Sequence, residues 1–327
     1  MKLFKKILLG ASISIAFLVF LIIIGFVITN GEYIIPATAE NDHTLQTIEL
    51  NNGVFHYETF GDVNKPVIII IHGGPGADYR SLLNLKELQD EYFVVFYDQR
   101  GTGLSPRISN PEILTYHNSI KDMHAFVNYF SKDRKVVLIG HSFGGIMASS
   151  YAALYPERVE SMILVEPGPL NYEMSLIGPK LSNDNLMTYM KALFESFQIK
   201  NPPDDKAAFD YVTGQLMIKA NPGYWCNEIP HESVQGWRFS YDTYQNVIAS
   251  FHDQDGKQIN AIEGIESYEG PVLFMVGECN LVIGEEFQKE QMKYFNMSEI
   301  VVIPHSGHGL FAENPADSIK AINDFLD

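Results

Sequence analysis

Residues 136–145 read Val-Val-Leu-Ile-Gly-His-Ser-Phe-Gly-Gly, an apolar run that passes through Gly-x-Ser-x-Gly into residues able to start a helix. Small residues on both sides of Ser142 let a strand and a helix approach closely, which places the serine on a sharp turn with its hydroxyl lifted clear. Such a hydroxyl can attack a carbonyl carbon if a neighbouring base removes its proton. The Phe143 N–H, at the start of the following helix, is then placed to hold the developing oxyanion. A second donor is expected from the Gly74 N–H, in the turn His72-Gly73-Gly74-Pro75-Gly76 that ends the apolar run Val67–Ile71. His141 precedes the nucleophile and is expected to pack locally.

The base is expected at His308. Residues 304–309, Pro-His-Ser-Gly-His-Gly, follow the run Ile300–Ile303 and precede a terminal amphipathic stretch. A histidine in the loop after the last strand completes the chain order serine, acid, histidine. His305 follows the strand too closely for that task.

These groups need a frame that brings distant loops together. Strands are predicted at Thr47–Leu50, Val54–Thr59, Val67–Ile71, Phe93–Tyr97, Val136–Ile139, Met162–Val165, Val272–Val276 and Ile300–Ile303. Several are unbroken apolar runs, the pattern of strands covered on both faces. Between them lie amphipathic stretches at Arg80–Gln89, Tyr116–Phe130, Gly145–Leu154, Glu285–Tyr294 and Ala316–Leu326. The alternation predicts an α/β fold with a mostly parallel eight-stranded sheet and helices on both faces. It is interrupted over 167–269, where paired prolines and many aromatics predict a helical cap inserted into a core formed by 46–166 and 270–327.

The segments His72–Gly76, Asp98-Gln99-Arg100-Gly101-Thr102-Gly103-Leu104-Ser105 and Gly140–Gly144 together resemble the proline iminopeptidase branch of the α/β hydrolases. The resemblance covers Val54 to Pro167 and Gly270 to the end. It implies the α/β-hydrolase fold, acyl-enzyme chemistry without metal or organic cofactor, and structural roles for Asp98 and Arg100. It also implies acidic residues in the insertion that bind the substrate's free amino end, near a Trp-x-x-Trp-Glu motif. That motif is absent here, and Glu228 and Glu232 are the insertion's candidates.

The triad acid departs from the pattern. At the position of the family's aspartate, in Val276-Gly277-Glu278-Cys279-Asn280, stands Asn280. An amide does not stabilise an imidazolium as a carboxylate does, and aspartate-to-asparagine in a serine triad costs about 10⁴ in kcat. Glu166, at the end of the strand next to the nucleophile's, is the first replacement. Glu278 is the second, and loss of the acid is the third. The expected function is therefore serine hydrolysis of an amide or ester through an acyl-enzyme, first on a short peptide with a free amino end and second on a small apolar ester. A binding protein of the same fold with weakened turnover is the rival.

The N-terminus adds a location. Lys2, Lys5 and Lys6 precede Ile7–Ile28, 22 residues without an ionisable side chain. That is long enough to cross the roughly 30 Å hydrocarbon core and longer than the apolar stretch of a cleaved signal, about 7–15 residues. The chain is expected to have a single-pass membrane anchor at 1–30, a linker at 31–45 and an extracytoplasmic catalytic domain, the lysines staying inside. With those three lysines set aside, 20 basic residues face 40 acidic ones. Such a surface repels phosphate backbones, so nucleic acid is excluded as a partner. Cys226 and Cys279 are the only cysteines; two unpaired thiols are expected, although an exported domain permits a bridge.

Overall fold

The computed structural model describes residues 2–171, 183–219, 222–226, 236–252, 256 and 258–327. Helix α1 (Lys2–Ile28) comes first, and strands β1 (Thr47–Leu50), β2 (Gly53–Phe60), β3 (Val67–Ile71) and β4 (Phe93–Tyr97) follow. Then come α2 (Tyr116–Ser131), β5 (Val136–His141), α3 (Phe143–Leu154) and β6 (Val159–Val165). The insertion contributes α4 (Asn183–Ser196), α5 (Ala207–Lys219) and α6 (Tyr241–Ser250). The chain closes with β7 (Val272–Gly277), α7 (Glu285–Met292), β8 (Ser298–Ile303), α8 (Leu310–Glu313) and α9 (Pro315–Leu326).

The eight strands form one sheet in the order β1-β2-β4-β3-β5-β6-β7-β8. Both pairings of β2 are antiparallel and the remaining pairings, from β4 through β8, are parallel. This is the mostly parallel eight-stranded sheet expected from the strand-helix alternation. The central strands are buried on both faces because each contributes alternate residues to two separate cores. Ile69, Ile71, Val95 and Leu138 pack under α2, α3 and α6, whereas Ile68, Ile70, Val94 and Val137 pack under residues 80–90 and α9. The amphipathic stretch expected at Arg80–Gln89 is wound as 3₁₀ turns over Arg80–Asp90 that still bury Leu82, Leu85 and Leu88. Spacing by three residues keeps those leucines on one side, so the tighter winding satisfies the same apolar pattern.

The chain divides into two compact units. One comprises Pro36–Pro179 with Asn221–Asp327 and holds the sheet, and the other comprises Met1–Ile35 with Lys180–Ala220. In the second unit, Leu9–Ile28 forms a 20-residue stretch of α1 long and apolar enough to cross a membrane.

The cysteines correct the expectation of two free thiols: Cys226 and Cys279 form a disulfide. The backbone explains the pairing across 53 residues. Leu281 N–H donates to the Gly223 carbonyl at 2.8 Å and His308 N–H to the Tyr224 carbonyl at 2.7 Å, so the segment before Cys226 is fastened beside the turn after β7. The two Cα atoms come within 4.8 Å, a normal bridging distance.

Candidate active site

Strand β5 ends in a turn that puts Ser142 at φ 55° and ψ −119°, outside the regions an L-residue ordinarily occupies. Its N–H donates to the Val165 carbonyl at 2.9 Å, tying the turn to β6. The turn fits because its neighbours lack side chains. A Cβ on Gly144 would strike the carbonyl oxygens of Ile71 and His72, and one on Gly73 would lie 2.7 Å from Ser142 Cβ and 3.3 Å from Oγ. The glycine turn after β3 therefore lies against the serine. Gly74 occupies that turn at φ 120°, and Phe143 is the first residue of α3.

The glycine turn is held by buried polar contacts. His72 Nε2 accepts from the Gln99 N–H at 3.0 Å, so its proton sits on Nδ1, which donates to the Gly73 carbonyl at 2.9 Å. Burial holds the His72 pKa below its ordinary value, consistent with this neutral tautomer. Gln99 Nε2 adds a bond to the His72 carbonyl at 2.8 Å. Flanking it, Asp98 accepts from His56 Nδ1 and the Leu104 N–H, and Arg100 is forked onto Asp122 at 2.5 and 2.8 Å. Asp98 and Arg100 are framework residues, as the resemblance implies.

His308 stands on the loop after β8. Its Nδ1 lies 2.6 Å from Glu166 Oε2, the side chains being 15% and 0% exposed. Glu166 follows β6 directly, at φ 44°, with its N–H on the Met275 carbonyl at 3.0 Å. Its other partners are the Gly277 N–H, which donates to Oε1 at 2.7 Å, and Asn280 Nδ2, which donates to Oε2 at 2.7 Å. A buried carboxylate needs partners of this kind, because an uncompensated charge there would be strongly disfavoured. Of the two carboxylates weighed from the sequence, Glu166 meets His308. Glu278 is 56% exposed and accepts from the N–H of His305, whose own side chain is 92% exposed. His141 packs against His308, the ring centroids 4.6 Å apart. Its Nε2 donates to the His308 carbonyl at 2.8 Å, and burial, helped by the neighbouring imidazole, pushes its pKa down to about 3. Ser142 Oγ makes no hydrogen bond among the described residues; catalytic serine–histidine contacts commonly tighten only once substrate is bound.

Three features of this site were not anticipated. The Tyr224 ring lies 4.8 Å from the His308 imidazole at 33°, and its carbonyl takes the His308 N–H. Glu313 accepts the Gly307 N–H at 2.7 Å and so braces the same loop. Asn280 is an amide donor to Glu166, with its Oδ1 accepting from the N–H groups of Val282 and Ile283 at 2.9 and 3.1 Å. For Asn280 the signal was present in the sequence, as an amide standing where a carboxylate is the convention. Glu228 and Glu232, the candidates for binding a free amino end, lie outside the described residues.

The family model for the alpha/beta hydrolase fold matches residues 66–315. Among curated proteins, the chain is 25% identical over 301 residues to an sn-1-specific diacylglycerol lipase of Danio rerio, covering 89% of this chain and 86% of that one. It is 22% identical over 268 residues to an esterase of Escherichia coli, covering 80% and 94%. Among solved structures, a proline iminopeptidase-related protein of Thermus thermophilus superposes with a TM-score of 0.58 at 20% identity, covering 86% of this chain and 96% of that one.

Proposed function

The chain belongs to the α/β-hydrolase family, and from that premise we propose that it is a membrane-anchored serine esterase acting on small carboxylic esters. The observation that carries this reading is the 2.6 Å contact between His308 Nδ1 and buried Glu166, in a chain whose strand-turn-helix presents Ser142. Ser142 Oγ attacks the ester carbonyl while His308 Nε2 takes its proton. The imidazolium so formed keeps its Nδ1–H on Glu166, which stabilises the positive charge and fixes the ring. The Phe143 and Gly74 N–H groups receive the oxyanion. Collapse expels the alcohol, which takes the proton from His308 Nε2, and leaves an acyl-serine. Water, deprotonated by the same imidazole, then releases the acid and restores the serine.

Two observations favour an ester over a peptide. The sequence lacks the Trp-x-x-Trp-Glu motif of the iminopeptidases, and relatives aligned over most of their length carry esterase and lipase names. No cofactor is required by this chemistry. The anchor is α1, and the disulfide supports an extracytoplasmic domain, since such bonds persist in oxidising compartments. The test is a panel of chromogenic acyl esters and aminoacyl amides, run with wild type and Ser142→Ala. Ester turnover by wild type alone supports the reading; turnover confined to amides with a free amino group replaces it with a peptidase.

A further inference from the structure

Helix α4 carries an apolar stripe that is only partly covered. Leu186, Met187, Met190, Leu193, Phe194 and Phe197 recur at the spacing of one helical face, with Lys191 on its flank and Glu195 buried on the far side, where it accepts from the Tyr211 hydroxyl at 2.9 Å. One part of this stripe is occupied by α1. The Phe194 ring sits where a Cβ on Gly25 would be, and it meets Phe26 edge-on with centroids 5.3 Å apart. The rest is bare: Leu186 is 55% exposed, Met187 71%, Met190 40% and Phe197 69%.

The end of α1 is closed by polar contacts to the same unit. Gln198 Nε2 donates to Thr29 Oγ1 at 2.8 Å, Lys200 pairs with Glu32, and the Tyr33 and Tyr211 rings meet edge-on. An apolar segment therefore ends at Ile28, and a polar layer begins at Thr29. Gly25 lies three residues inside that boundary, about 4.5 Å along the helix axis. That is close to the depth, about 5–10 Å, at which amphipathic helices rest in the boundary between headgroups and acyl chains.

We infer that the bare stripe of α4 docks on the lipid bilayer in which α1 is embedded, giving the insertion a second, interfacial attachment beside the anchor. The occupant is fixed by continuity. The stripe that receives Phe26 runs on as Met190, Met187 and Leu186, and the remaining surface of α1 between Leu9 and Ile28 is itself exposed and apolar. The medium that covers α1 therefore extends over α4 with no polar break. Burying such side chains contributes about 25 cal/mol per Å² of apolar surface removed from water. The inference rests on the reading of α1 as an anchor, and the experiment separates the two.

The full-length chain, with its disulfide intact, is placed in phosphatidylcholine vesicles. It carries one environment-sensitive dye on a cysteine introduced by Met187→Cys, Phe197→Cys, Phe17→Cys or Asp205→Cys, each variant first shown to melt as wild type does. Phe17 reports the anchor, and Asp205 reports the charged connection between α4 and α5. Nitroxide phospholipids labelled near the headgroup or near the chain end serve as quenchers. Dyes at 187 and 197 should lose emission to the headgroup-level quencher, to an extent comparable with the loss at 17 to the deeper one, while 205 is spared. Quenching at 17 but not at 187 and 197 overturns the docking and leaves the anchor standing; a second copy of the chain covering the stripe would give this result. No quenching at any position overturns both.

Discussion

Asn280 Nδ2 and His308 Nδ1 converge on the same oxygen of Glu166, at 2.7 and 2.6 Å. The amide, at the position where the resemblance implies an aspartate, follows β7, and the carboxylate follows the neighbouring strand β6. The orientation of the amide is set by the Val282 and Ile283 N–H groups on its oxygen.

With the Asn280 amide donating to Glu166, Asn280→Asp should not be silent. The substitution places a second carboxylate against a fully buried one. Two such groups share a proton rather than both ionise. In the singly protonated pair the new aspartic acid still donates to Glu166, as Asn280 does. As pH rises the second proton leaves and the two charges repel. The variant's kcat relative to wild type should therefore fall from pH 6.5 to pH 9, the melting temperature falling with it. A variant as fast as wild type across that range would remove Asn280 from the account.

Glu166→Gln should lower kcat by about 10⁴ with little change in KM, because the imidazolium that Glu166 stabilises exists only as the reaction proceeds. Glu278→Gln, altering a half-exposed side chain that faces His305, should stay within about twofold of wild type. Steady-state kinetics on one ester decide this, and the opposite ranking would move the acid to Glu278.

Replacing Cys226 and Cys279 by alanine should cost about 2–4 kcal/mol of stability, since the bridge closes a loop of 53 residues. Activity should fall as well, because Cys226 ends the segment that keeps Tyr224 against His308. Melting curves and ester kinetics with and without reductant measure both. A protein indifferent to reduction would show that Tyr224 is held by its backbone contacts alone.

His141 provides a pH test of folding. Its folded pKa is depressed to about 3, whereas the unfolded value is near 6.5. Between those values the unfolded chain binds the extra proton, so the stability associated with neutral His141 is complete above pH 6.5 and is lost as pH falls toward 3. The slope is at most about 1.4 kcal/mol per pH unit. His141→Gln keeps an amide donor for the His308 carbonyl and should flatten that part of the profile. Parallel profiles for the two proteins would contradict it.

Much of the frame was legible because it depends on local pattern. Val67–Ile71 and Phe93–Tyr97 were bounded correctly from the sequence, since unbroken apolar runs flanked by turn residues have few other uses, and Thr47–Leu50 by its alternation of polar and apolar residues. The strand-end positions of Ser142 and His308 were legible for the same reason, each lying in a short motif after an apolar run. What escaped depends on packing between distant segments. The pairing of Cys226 with Cys279, the tilted contact of Tyr224 with His308 and the donation from Asn280 to Glu166 arise only after β6, β7 and the insertion come together. The winding of Arg80–Asp90 as 3₁₀ turns escaped because leucines three apart suit either helix. Strand order favoured Glu166 over Glu278 as the carboxylate facing His308, and Glu166 Oε2 lies 2.6 Å from His308 Nδ1.

The central claim is that Ser142 is a nucleophile activated by His308 and Glu166, and active-site labelling tests it most directly. The purified full-length chain is treated with a fluorophosphonate, which forms a stable bond to an activated serine, and the adduct is located by mass spectrometry of its peptides. The account predicts one adduct per chain, on Ser142, with labelling abolished in Ser142→Ala and strongly slowed in His308→Ala and Glu166→Gln. A folded wild-type chain that takes up no label, or an adduct that forms equally well in His308→Ala, would contradict it.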